Sequence, residues 1–252
     1  MRSLFNREKP AGFVAQPVHA DAPQLADAEL AAIYYGQRMA GDFYEFLRVS
    51  PNRVLFALMD MAGRLNDNRK VVSATQQTFR TEAPALFARE DLNEADAMVE
   101  LCLHLNRTII KAEGGVRSCA AFAGCYNEHL GTVCYVNAGH TPGLLRHGTG
   151  ITELGATGLP LGLFSHATCD APIVALEPSA ALLVVSRGIV EGKRKGNEFG
   201  LERVKQGVQN GTATSAKEIC TNMLDSVQEF MRTPPTHNDV TALALLRIPR
   251  AS

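Results

Sequence analysis

An α+β fold is the class this sequence predicts, and two antiparallel sheets packed face to face with helices outside would satisfy it. Its elements run strands, helices, strands, helices, strand, and the apolar residues switch between alternation and helical spacing at each step. The stretch Ala181-Leu182-Leu183-Val184-Val185 is apolar without a break, which predicts a strand buried on both faces.

Taken in order, residues 1–25 carry Pro10, Pro17 and Pro23 with little periodicity and read as a loosely held arm, leaving one domain over 26–249. Residues 29–35, 42–49 and 53–59 read as strands forming an antiparallel meander, with Ser50-Pro51-Asn52 as the turn between the last two. Helical spacing over 68–89 and 93–112 follows, shown by Met98, Leu101, Cys102, Leu105 and Ile109. Strands are predicted again over 118–126, 132–137 and 143–146, with a hairpin turn at 127–131. After the buried strand come helices over 201–209 and 215–231, then a closing strand over 240–248.

The chain has 252 residues, 46% of them hydrophobic, enough for a sizeable core. Its 25 basic and 26 acidic residues are spread along the sequence, so no basic field is present to attract nucleic acid or an anionic membrane. The six cysteines form no CxxC pair and mostly lie among apolar neighbours, the pattern of reduced, buried thiols. No signal-like segment and no apolar run of about 20 residues is present, so a soluble cytoplasmic protein is expected. Neither a P-loop nor a GxGxxG run supports nucleotide binding.

Chemistry concentrates in two short segments. Asp42 follows Gly41 at the mouth of one strand, and Asp60 ends the next, before Met61-Ala62-Gly63. Two antiparallel strands can bring such carboxylates together around divalent metal. A Gly-Asp pair alone is common in turns. Further along stand Asn137-Ala138-Gly139-His140-Thr141-Pro142, Gly158-Leu159-Pro160-Leu161-Gly162, Ser186-Arg187-Gly188-Ile189-Val190-Glu191 and Asn238-Asp239-Val240-Thr241.

In order and spacing these motifs resemble the PPM (protein phosphatase 2C-like) serine/threonine phosphatases, in the SpoIIE-type branch that regulates bacterial sigma factors. The resemblance implies a four-layer α/β/β/α sandwich and one or two Mn²⁺ or Mg²⁺ ions. It implies Asp42 and Asp60 as catalytic metal ligands, with Asp60 bridging the ions and Met61 lending its backbone carbonyl. A pair of ions about 3.5 to 4 Å apart lowers the pKa of a bridging water and clamps the phosphoryl group.

Two positions depart from the family. Its Thr-Asp-Gly motif is matched by Ser186-Arg187-Gly188, so an arginine stands at a ligand position. The ligand of its last motif falls on Asn238; Asp239 next door is expected to point the other way unless the local backbone is irregular, because strand side chains alternate, and by resemblance Asn238 or Asp239 weakly supports the second ion. Arg187 would repel a divalent ion and could pair with Asp60 or Asp42 in the ion's place; an ordinary solvated arginine is the other reading. Gly63 is followed by Arg64-Leu65 where the family carries a second glycine, which puts the approach to the helix in question. The Asn137–Pro142 turn and the Gly158–Gly162 loop are read as structural, His140 bonding locally, and Phe199 and Leu201 as inward packing.

By resemblance the partner is a phosphorylated regulatory protein of the anti-sigma-factor-antagonist type, dephosphorylated at serine or threonine, with activity weakened or lost. The alternative is an inactive pseudophosphatase that binds or sequesters that partner. With no sensor module in the sequence, regulation is expected from a separate protein or through the arm, and a homodimer is left open.

Overall fold

The computed structural model describes residues 22–35, 41–63, 65–89, 92–112, 118–232 and 239–249. Along the chain lie β1 (Ala28–Tyr35), β2 (Asp42–Ser50), β3 (Arg53–Met61), α1 (Leu65–Phe87), α2 (Glu94–Lys111), β4 (Cys119–Asn127), β5 (Thr132–Ala138), β6 (Gly143–His147), β7 (Gly150–Leu154) and β8 (Ile173–Ala175). Then follow β9 (Ala181–Val185), α3 (Arg187–Val190), β10 (Lys193–Arg194), β11 (Asn197–Glu198), α4 (Gly200–Gln209), α5 (Ala216–Met231) and β12 (Val240–Arg247).

Two five-stranded sheets form, ordered β2-β3-β4-β5-β8 and β1-β12-β9-β6-β7, with antiparallel pairing throughout. Alternation divides each strand between two cores. Tyr44, Phe46, Val54, Phe56 and Leu58 meet Leu182, Val184, Leu243 and Leu245 between the sheets. Their neighbours Phe43, Leu55, Met59 and Met61 face α1 and α2, against Phe79, Met98 and Leu101. On the far side Leu183, Val185, Ala242 and Ala244 lie under α4 and α5, against Val204, Cys220 and Leu224. The result is the four-layer α/β/β/α sandwich, and β9 is buried on both faces as its composition predicts.

One expectation is overturned. β1 does not join β2 and β3 in a meander; it pairs with β12, from Ala28↔Arg247 to Tyr35↔Val240, in the opposite sheet. Alternation within a strand states which face is buried, but not which distant strand lies beside it. Elements absent from the sequence reading are β7, β8, α3, β10 and β11. They are short, and β7 and β8 are half-exposed edge strands defined by their pairing to β6 and β5 rather than by a pattern of their own.

Helices α2 and α5 open on side-chain caps. Asn93 Oδ1 accepts from Ala95 N and Asp96 N to open α2. The buried Glu45 of β2 receives Arg80 Nε and Nη2 at 2.9 Å each, fastening α1 to the sheet. The arm lies outside the described residues up to 21; beyond it Ala22 and Leu25 pack against the core between the sheets. Among the described residues no helix is long and apolar enough to cross a membrane. All six cysteines are free, five of them buried.

Candidate active site at the open end of the sandwich

The β2–β3 register sets the site. Asp42 stands directly opposite Asp60, on the strand faces that carry Tyr44 and Leu58 into the core between the sheets. Directly opposed residues have Cβ atoms about 4.5–5.5 Å apart, so two like charges meet there. Gly41 makes the approach possible: a Cβ at this position would stand 2.2 Å from the Met61 carbonyl oxygen. Met61 N donates to Gly41 O at 3.3 Å, closing the end of the ladder.

The second sheet contributes from above. Thr241 shares its strand face with Leu243 and Leu245, and its hydroxyl donates to Asp42 Oδ2 at 2.8 Å. The same alternation carries one step back to Asp239, which is buried and whose Oδ2 accepts the Asp42 N–H at 3.2 Å. Asp239 therefore faces the site, contrary to the expectation that it turns away, because it has the parity of Thr241. Asn238, the expected ligand position, lies outside the described residues. That parity was legible in the spacing of Asp239, Thr241, Leu243 and Leu245. Ser186, not singled out from sequence, is fully buried; its hydroxyl donates to Asp239 O at 3.1 Å and accepts from Thr241 N at 3.0 Å.

Arg187 opens α3 directly after the buried strand β9. Its Nη2 lies 3.5 Å from Asp60 Oδ2 and its Nε 3.9 Å from Glu191 Oε1, with 54% of the side chain exposed. The Asn137–Pro142 turn borders it: Thr141 Oγ1 donates to Val185 O, and His140 N donates to Asn137 Oδ1 at 2.8 Å. His140 is buried, and its Nδ1 bonds locally to Thr141 O at 3.2 Å, as expected.

Electrostatics follow from this packing. Burial pushes the Asp42 carboxyl well above the usual range, with the Asp60 and Asp239 charges adding to the rise. Asp60 is raised by burial too, while Arg187 works in the opposite direction. Burial lowers His140 to about 4, so its imidazole is neutral at pH 7.

A profile of the family described as Stage II sporulation protein E (SpoIIE) matches residues 50–248. The chain belongs to the SpoIIE family. Its likeness extends to phosphoserine phosphatase RsbP of Bacillus subtilis (strain 168), 22% identical over 161 residues. That match takes in 63% of this chain and 39% of RsbP, so it spans well under half of that relative. The RsbU and RsbW domains of Rv1364c from Mycobacterium tuberculosis superpose with a TM-score of 0.75 at 21% identity, covering 92% of this chain and 64% of that one. The SiaA-PP2C domain of Pseudomonas aeruginosa gives 0.73 at 14% identity, covering 87% and 86%. The fold of this SpoIIE member is that of the PPM phosphatases.

Against the family's metal chemistry the site falls short. Hard divalent ions want about six oxygen ligands. Here Asp42 accepts Thr241, Asp239 accepts the Asp42 amide, and Asp60 faces a guanidinium. Among the described residues no three Asp, Glu, His or Cys side chains close on a common point as a metal ion's ligands do. The described residues of this SpoIIE chain do not fit a two-ion centre.

Proposed function

We propose that this chain is a SpoIIE-type regulator that acts on phosphoserine or phosphothreonine of a signalling protein, such as an anti-sigma-factor antagonist, with hydrolysis weakened or lost. The observation that carries this reading is the Arg187–Asp60 pair at 3.5 Å, where the family's chemistry calls for an ion. A guanidinium neutralises a carboxylate, but it cannot lower the pKa of a bound water as Mn²⁺ or Mg²⁺ does. On this reading the pair weakens or abolishes metal-activated hydrolysis at these residues.

The same observation favours the pseudophosphatase alternative, in which the chain binds or sequesters its phosphorylated partner. Arg187 has five N–H donors and is half exposed, so donors remain for phosphoryl oxygens at the mouth of the site. The test pairs two measurements on purified protein. Hydrolysis of p-nitrophenyl phosphate and a phosphoserine peptide is followed with and without Mn²⁺, beside Asp60→Asn. Binding of a phosphorylated antagonist and its unphosphorylated form is measured by calorimetry. Binding selective for the phosphorylated form, with turnover no higher than Asp60→Asn, supports the pseudophosphatase alternative. Mn²⁺-dependent turnover lost in Asp60→Asn would establish a working enzyme and overturn the pseudophosphatase alternative.

A further inference from the structure

Cys102 and Cys169 come from distant parts of the chain and meet beneath one loop. Cys102 lies on the buried face of α2. Cys169 closes the neck of the loop formed by residues 157–170: a β-bridge joins it to Gly158, and Asp170 N donates to Thr157 O at 3.0 Å. That neck is tight, since a Cβ on Gly158 would stand 2.8 Å from Cys169 Cβ. One turn beyond Cys102, Asn106 pins the same loop to α2. Its Nδ2 donates to Phe164 O at 2.9 Å and its Oδ1 accepts from Gly162 N at 2.7 Å. Held from both sides, Cys169 packs against the core cluster that contains Cys102, and the two thiols are close enough to act on each other's titration. Cys169 is the one cysteine with partial exposure; the other five are buried.

We propose that Cys102 and Cys169 form a peroxide-oxidisable dithiol, with Cys169 reacting first and Cys102 resolving it to a disulfide. The Cys169 sulfur attacks one oxygen of hydrogen peroxide. The O–O bond breaks, the thiol proton leaves with the departing hydroxide as water, and a sulfenic acid remains. The Cys102 sulfur then attacks the Cys169 sulfur and the S–O bond breaks. The released hydroxide takes the Cys102 proton as a second water. Two thiols lose two electrons and two protons, and one peroxide becomes two waters.

Chemical selectivity agrees with the geometry. The neighbouring Cys102 lowers the Cys169 thiol below its ordinary range, towards the nucleophilic thiolate, while Cys169 and burial raise Cys102. Cys119, Cys125, Cys134 and Cys220 are all pushed up by burial and are inert by comparison. Oxidation would staple the loop to α2. The loop reaches the site through Leu161, which exchanges both backbone hydrogen bonds with Cys119, the residue opposite Met61 in the β3–β4 ladder. This inference stands apart from the phosphoprotein reading.

The experiment treats the whole chain with hydrogen peroxide, blocks residual thiols with iodoacetamide and digests with trypsin without reductant. Cys102 is the sole cysteine of tryptic peptide 90–107, and Cys169 of peptide 147–187, so the disulfide is read as one cross-linked pair. Expected are that pair, its release by dithiothreitol, and its loss in Cys169→Ser. In Cys102→Ser, Cys169 should stall as a sulfenic acid trapped by dimedone, and Cys220→Ser should leave the cross-link intact. In untreated protein at pH 7, Cys169 should alkylate about tenfold faster than any other thiol. Oxidation of wild type without the 90–107 to 147–187 cross-link, or a buried thiol alkylating as fast as Cys169, would overturn the proposal.

Discussion

The Arg187 guanidinium stands 3.5 Å from the Asp60 carboxylate, at the point where Asp60 already faces Asp42 across the β2–β3 ladder. Two opposed carboxylates in a buried site call for a cation. Among the described residues Arg187 supplies one, covalently attached. Arg187→Asp should therefore create an ion response that wild type lacks. With free Mn²⁺ a hundredfold above its Kd, the variant should gain about 2.7 kcal/mol, read as a rise in thermal midpoint, while wild type is unmoved by Mn²⁺ or EDTA. A wild-type rise with Mn²⁺ would mean that the aspartates hold an ion despite Arg187.

Gly41 is fixed by the path of β3. Because a Cβ there would stand 2.2 Å from the Met61 carbonyl oxygen, Gly41→Ala should cost about 3 kcal/mol through displacement of backbone. Urea denaturation followed by circular dichroism measures it. A midpoint equal to wild type would mean that the Gly41–Met61 contact relaxes freely.

Thr241 joins the two sheets at the site through its bond to Asp42 at 2.8 Å. Thr241→Val keeps the shape and leaves the buried carboxylate short of a donor, with an expected loss of about 1–3 kcal/mol. In the double variant with Asp42→Asn most of that loss should disappear, because the group left without its donor is no longer an anion. Additive losses in the double-mutant cycle would show that the bond contributes little.

His140 gives the fold a pH dependence of known sign. Its folded-state pKa of about 4 lies below the ordinary 6.5, mainly through burial. The unfolded chain therefore binds the extra proton first, and stability present above pH 6.5 is lost as pH falls towards 4, by roughly 3 kcal/mol in all. The raised carboxylates Asp42 and Asp60 act in the opposite direction over acidic pH, so the comparison is with His140→Asn, which should lack this slope. Equal slopes in the two proteins would contradict a neutral buried imidazole. The His140 Nε2 has no hydrogen-bond partner among the described residues, which is consistent with a ring held neutral by its surroundings.

Much of the core was legible in advance because local patterning dictates it. The alternation of Phe46, Phe56 and Leu58, and the helical spacing of Met98, Leu101 and Leu105, determine which faces are buried whatever their partners. The motif order likewise brought Asp42, Asp60 and Arg187 to notice, with a cation where the resemblance implies a ligand. Tertiary structure decided the rest. That β1 pairs with β12 depends on contacts between opposite ends of the chain, which no local window contains. The facing of Asp239 was legible in the alternation it shares with Thr241, but its meeting with the Asp42 amide was not, because the two lie at opposite ends of the chain. The meeting of Cys102 with Cys169 required α2 and a distant loop to be packed together. Sequence determined which groups are present and which way each strand or helix turns them; only the packing of sheet on sheet and helix on loop determined which of them touch, because contact is a property of distant segments brought together by burial.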